Sequence, residues 1–189
     1  LSLIVQNCKQ QGKKVAHCHG VFDLLHPGHM RYLESAKKEG DVLIVTVTKD
    51  KFVDRGPGRP VFNERLRLES LAALRCVDFV ALNEWPTAVE TIQTIKPDLY
   101  VKGSEFANLK DNTGRIQKEA EAIKAIGGKI HFTDGITFSS TKLLNLHFNV
   151  YHKDTEEFLK KFSTKYSSDL IIDKINEQKN LKVLVIGDA

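Results

Sequence analysis

The chain has 189 residues, 41% of them hydrophobic and 28% charged, with a formal net charge of +4. Such a length and composition fit a globular domain with an appendage, and exclude a disordered or fibrous chain. The mild positive charge suits small anionic substrates and is too weak and too dispersed to argue for nucleic acid.

Cys8, Cys18 and Cys76 form no metal or redox spacing, and their odd number points to reduced thiols in a cytoplasmic protein. No apolar run reaches membrane-spanning length, and the opening "LSLIVQNCKQ" lacks the plan of a signal peptide. In chain order, "KKVAHCHG" predicts a first strand. A helix is expected from Pro27 to Glu39, with proline in its first turn and Gly40 as its stop. "DVLIVTVT" is a nearly continuous β-branched run, as in a strand buried on both faces of a parallel sheet. A basic loop rich in Gly and Pro, "KDKFVDRGPGRP", precedes a helix over "NERLRLESLAALRCV", which Asn63 is placed to cap. "DFVALN" is a third strand, "PTAVETIQTI" a helix and "PDLYVKG" a fourth strand. Thr113 to Ile126 is helical, Gly127 and Gly128 close it, and "KIHFT" is a fifth strand.

This alternation predicts an α/β fold, a doubly wound parallel five-stranded sheet with helices on both faces. Residues 1–149 form that domain, 150–180 a polar helical linker, and 181–189, "LKVLVIGDA", the start of a second domain. A chain that begins without Met and stops there is expected to be part of a longer polypeptide.

Ligands of such sheets bind beyond the carboxyl ends of the strands, near the point where strand order reverses. The first strand ends at Gly20, which places "HGVFDLLHPGH" (19–29) there. Gly20 would allow close approach of a ligand, and the amides and dipole at the helix start favour phosphate. His26 and His29, three residues apart, can present their rings to one point, as hydrogen-bond donors or as cations. No nucleophile stands beside them, as expected if the substrate brings its own.

"GVFDLLHPGH" resembles the HxGH motif of the nucleotidyltransferase superfamily that contains the cytidylyltransferases, pantetheine-phosphate adenylyltransferase and ADP-heptose synthase. "GDVLIVTVTKD", "GRPVFNERLRLESLAALRCVDFV" and "KPDLYVKGSEF" are similar, in order, to the adenylyltransferase half of bifunctional ADP-heptose synthase and to glycerol-3-phosphate cytidylyltransferase. "ITFSSTKLL" resembles the second motif of the superfamily, an ISSTxxR-type turn opening a helix. The resemblance, over residues 13–146, implies transfer of a nucleoside monophosphate from CTP or ATP to a phosphorylated small acceptor, a sugar or polyol phosphate, with release of pyrophosphate. Such an activity belongs to nucleotide-sugar or lipopolysaccharide biosynthesis. The acceptor oxygen is already anionic, so positioning and charge stabilisation are the whole task.

By the same resemblance His26 and His29 are catalytic, and Gly20 and Phe22 belong to the nucleotide site. Lys102 and Gly103 would lie near the nucleotide, while Ser139, Ser140, Thr141, Arg55 and Arg59 would hold phosphates. Mg²⁺ would accompany the triphosphate, with no metal ligands from protein side chains. The second motif departs from the pattern: Lys142 follows Thr141, and a leucine takes the last position, where many relatives have Arg or Lys. Phe132 stands where the cytidylyltransferases have arginine.

The resemblance also implies a homodimer, and "LKVLVIGDA" resembles the opening strand of ribokinase-type kinases, so a kinase domain on the same chain is expected. The alternative function is a nucleotide-binding sensor of the same fold without turnover. A dinucleotide oxidoreductase lacks its G-x-G-x-x-G. Zinc at His17, Cys18, His19, His26 and His29 is disfavoured by strand alternation, which points Cys18 away from its neighbours. Asp23 reads as a loop brace, Trp85 as packing, and Arg65, Arg67 and Arg75 as a solvated helix face.

Overall fold

Every residue of "VLIVTVT" is buried, and this segment forms β2 (Val42–Thr48), the second strand of a five-stranded sheet. The computed structural model describes residues 1–56, 58–108, 114–133 and 153–181. The other strands are β1 (Val15–Gly20), β3 (Phe79–Asn83), β4 (Leu99–Gly103) and β5 (Lys129–Thr133). Their order is β3-β2-β1-β4-β5, and every neighbouring pair is parallel. The order reverses at β1, where Cys18 stands opposite Val45 on one side and Val101 on the other.

Alternation along the strands divides the core. Ala16 and Cys18 of β1, with Leu43, Val45 and Val47 of β2, pack with Leu33 and Ala36 of α2 (Pro27–Lys38) and Leu71 of α3 (Glu64–Ala72). Val15, Val42 and Ile44 face the other way. They pack with Val5 of α1 (Ser2–Gln10) and Ile95 of α4 (Val89–Ile95). Ile92 of α4, Tyr100, and Ala122 and Ile123 of α5 (Arg115–Ala125) continue that second face. Two helices on one side and three on the other make the sheet doubly wound, as the pattern of elements predicts.

The structure adds and trims elements. α1 has no counterpart in the sequence reading; its only buried residue is Val5, too weak a periodicity to read. α3 stops at Ala72, and the segment expected to extend it turns through Leu74 and Val77 instead. Trp85 is more than a third exposed, not packed inside. Among the described residues no helix is long and apolar enough to cross a membrane.

The chain divides into two compact units, Leu1–Leu143 and Leu144–Ala189. Within the second, α6 (Lys153–Lys165) and α7 (Ser168–Glu177) are amphipathic, and Ser167 caps α7 by accepting from the Leu170 amide at 3.3 Å. Phe158 and Phe162 stack along one face of α6, and Tyr166, just past its end, meets Phe162 at a tilt. Residues 182–189 lie outside the described residues.

Candidate active site

His26 is the N-cap of α2. Its extended backbone turns the ring inward, and Nδ1 accepts from the Gly28 amide at 3.1 Å. The amides of His29 and Met30 go to the His26 carbonyl, and Pro27 has no N–H. The helix start therefore keeps no spare amides in its first residues, contrary to the sequence expectation. What it offers an anion is its dipole and the proton that an accepting Nδ1 leaves on His26 Nε2.

The His29 ring lies 3.9 Å from that of His26, centroid to centroid. Burial, then the neighbouring His26, pushes the His29 pKa down to about 4, opposed in part by a hydrogen bond that the ring donates to the Leu24 backbone carbonyl. Burial lowers His26 as well. Both imidazoles are thus neutral near pH 7. The Phe22 ring meets His29 edge-on at 5.5 Å. Phe22 is buried, and its φ of 50° is a left-handed conformation that a bulky residue adopts only under constraint. A Cβ at Gly20 would come within 3.0 Å of that ring, so the glycine makes room for Phe22, the support of His29.

The basic loop, residues 49–62, is a strap tied down at both ends. At its far end Asp23 Oδ1 accepts from the Val61 and Phe62 amides, at 2.7 and 3.1 Å. The other carboxylate oxygen pairs with Arg59 Nε at 2.8 Å, with both side chains largely buried. Asp23 is the loop brace that its position predicts, and it presents Arg59 beside the HxGH turn. Arg55, next to the positive-φ Gly56, is exposed.

At the strap's near end stands a residue that the sequence reading placed wrongly. Arg67 is not on a solvated face but is buried beneath the strap. It donates to the carbonyls of Phe62 (3.0 Å), Thr48 (2.7 Å) and Val21, and pairs with Asp50 at 2.6 Å.

Across the switch point, Lys102 and Gly103 end β4 beside β1. The Lys102 ammonium is held by Glu119 of α5 at 3.0 Å and lies over the rings of Tyr100 and Phe106. Tyr100 donates to the same Glu119 oxygen at 2.9 Å. Glu119 was not singled out in the sequence, where a glutamate on a polar helix looks solvated. The Glu105 carboxylate occupies the space a Cβ at Gly103 would need.

His17 and His19 share the Thr46 hydroxyl, at 2.8 and 2.9 Å. Burial, helped by Lys102, holds His17 at about 3 and His19 well below the usual histidine value. Both are neutral members of a buried ladder. Ser139, Ser140, Thr141 and Lys142 lie outside the described residues. The structure therefore brings His26, His29, Phe22, Gly20 and Arg59 together around one turn, with Lys102 and Gly103 on the adjoining strand end.

A family model described as cytidylyltransferase-like matches residues 17–174. The chain belongs to the cytidylyltransferase-like family. It is 40% identical over 143 residues, 75% of this chain, to the bifunctional protein HldE of Gluconobacter oxydans (strain 621H), and spans 29% of that protein. It likewise spans less than a third of the other curated relatives of that name. A solved lipopolysaccharide core biosynthesis protein from Thermoplasma volcanium GSS1 is 29% identical, with a TM-score of 0.53 over 68% of this chain and all of that one. Pantoate-beta-alanine ligase from Francisella tularensis, at 16% identity and a TM-score of 0.51, covers 74% of this chain and 67% of its own, and shares the fold alone. As a cytidylyltransferase-like chain, the protein carries a nucleotidyltransferase domain, and the two histidines of its HPGH turn, His26 and His29, stand at the start of α2.

Proposed function

We propose that the protein transfers a nucleoside monophosphate from ATP or CTP to the phosphate of a small sugar or polyol. The acceptor oxygen attacks the α-phosphorus, the bond to the β-phosphate oxygen breaks, and pyrophosphate leaves with that electron pair. The nucleophile is already an anion, so no proton needs to be removed from it. The observation that carries the reading is the paired neutral imidazoles at the start of α2, His26 held as cap and His29 backed by Phe22. Fixed N–H donors at that point stabilise charge building on the α-phosphate and the bridging oxygen.

Arg59 and Arg55 would meet the outer phosphates, with Ser139, Ser140 and Thr141 of the second motif. Lys102 and Gly103 would border the nucleoside. Mg²⁺ would neutralise charge on the triphosphate. The donor set, imidazole N–H groups with arginine and lysine, suits phosphate oxygens and leaves the hard cation to those oxygens and water.

Two supports favour a sugar phosphate as acceptor: the resemblance of "KPDLYVKGSEF" to ADP-heptose synthase, and the likeness to the lipopolysaccharide core biosynthesis protein. A sugar kinase on the same polypeptide would supply that acceptor, and the bifunctional relatives support the pairing. The test is incubation with each triphosphate, Mg²⁺ and a panel of sugar and polyol phosphates, reading pyrophosphate. Release that depends on both a triphosphate and a phosphorylated acceptor is expected; none with any pair refutes the reading.

A further inference from the structure

Arg67 is among the largest fully buried side chains of the protein, and a carboxylate, Asp50, pairs with it. Asp50 itself is more than a third exposed, so the charge of Arg67 is taken out of water against a half-solvated partner. Such an arrangement gives little net stability compared with apolar residues of the same volume and asks for another account. The partners are informative. Thr48 is the last residue of β2, Val21 follows the last residue of β1, and Phe62 and Asp50 lie near the two ends of the strap. One planar fork, on α3, thus reads three segments that meet at the carboxyl edge of the sheet.

Two of those segments carry proposed phosphate ligands. The Val21 carbonyl belongs to the peptide that sets the rotation about the Phe22 N–Cα bond. Phe22 sits there at a φ of 50°, with its ring against His29. The Phe62 carbonyl lies next to the amides that Asp23 binds, and Asp23 also holds Arg59. Asp50 and Glu64 exchange bonds, each accepting from the other's amide, which ties the start of the strap to the start of α3.

We propose that Arg67 is a positioning residue for nucleotidyl transfer: from beneath the site it fixes the HxGH turn and the Arg59 strap in the relation that the triphosphate requires. It touches no substrate and acts through Val21, Phe62 and Asp50. This inference rests on the function proposed above. Lysine at position 67 keeps the charge beside Asp50 but has no fork, and cannot hold three carbonyls and a carboxylate at fixed angles.

The experiment compares full-length Arg67→Lys with the parent by circular dichroism, thermal unfolding and steady-state kinetics with both substrates. In folded Arg67→Lys the KM for the triphosphate rises about tenfold, since small displacements of positioning groups cost that much or more. The KM for the acceptor stays within about twofold, because the groups displaced are those that face the triphosphate. A residue that only stabilises the fold would lower kcat through the active fraction and leave both KM values in place; that result overturns the proposal.

If Arg67→Lys does not fold, Asp50→Asn is decisive. It loosens the guanidinium and the strap together, and a rise of about threefold in triphosphate KM is expected; an unchanged value overturns the proposal. No pyrophosphate release from the parent overturns the function on which it rests, and Arg67 with it. An active parent with an unmoved triphosphate KM in the folded variant overturns Arg67 alone.

Discussion

Two imidazole rings 3.9 Å apart cannot both be cations without strong repulsion, and burial already disfavours a charge on either. In the reaction proposed above they act as a fixed pair of N–H donors. His29→Ala should lower nucleotidyl transfer about 100- to 1000-fold, as removal of one preorganised donor does elsewhere. Circular dichroism should be unchanged, and activity within a few-fold of the parent would remove His29 from its role. The histidines also set how stability depends on pH. The folded chain holds His17 at about 3 and His29 at about 4, below the ordinary 6.5. As pH falls below 6.5 the unfolded chain takes up protons that the native one refuses, so stability is full above that value and drains away toward pH 4. Each such group contributes a slope of up to about 1.4 kcal/mol per pH unit. Denaturant unfolding from pH 7 to 4 should show the decline, and His17→Gln should flatten it.

At the scale of elements, the cap of α2 separates holding the helix from doing chemistry. Asparagine can accept from the Gly28 amide but has no ring N–H to give a phosphate. His26→Asn should therefore unfold near the parent's temperature while losing transfer. His26→Ala should lose the cap too, about 1 kcal/mol in thermal or denaturant unfolding. Equal instability of the two would mean that Nδ1 does not hold the helix. The same helix start explains what could be read in advance. β2 stands out because a β-branched run buried on both faces, Val42–Thr48, has few other uses, and the shorter strands follow from its rhythm with the helices between them. "HPGH" was legible because proline, glycine and two histidines in that order make a turn, a helix start and a pair of rings at once. Arg67 was not legible. α3 has charges on every side and no clear apolar stripe, and the partners of its one buried arginine include three backbone carbonyls, which leave no mark in a sequence. Glu119 was hidden in the same way, since its partners Tyr100 and Lys102 lie on a strand that only the folded sheet brings near.

For the whole molecule, "RCVD" at the end of the α3 region resembles the corresponding stretch of dimeric cytidylyltransferases, and Arg75 is exposed there. Light scattering should give about twice the 21.3 kDa of the chain; a single-chain mass at working concentration would refute the dimer. The strand order has a different consequence, one of timing. β1 pairs with β2 across a short crossover, Val15 beside Val42, but its other edge waits for β4, with Ala16 beside Leu99. A nascent chain that has emerged as far as Asn83 already holds three strands and both helices of one face, while the free edge of β1 and the apolar side that α4 will cover stand open. The Tyr32 hydroxyl, which donates to the Val101 carbonyl at 2.6 Å, lacks that acceptor until then. Sequence changes that delay the arrival of β4 will thus lower the yield of protein from the ribosome before they alter the rate of any molecule that completes its fold.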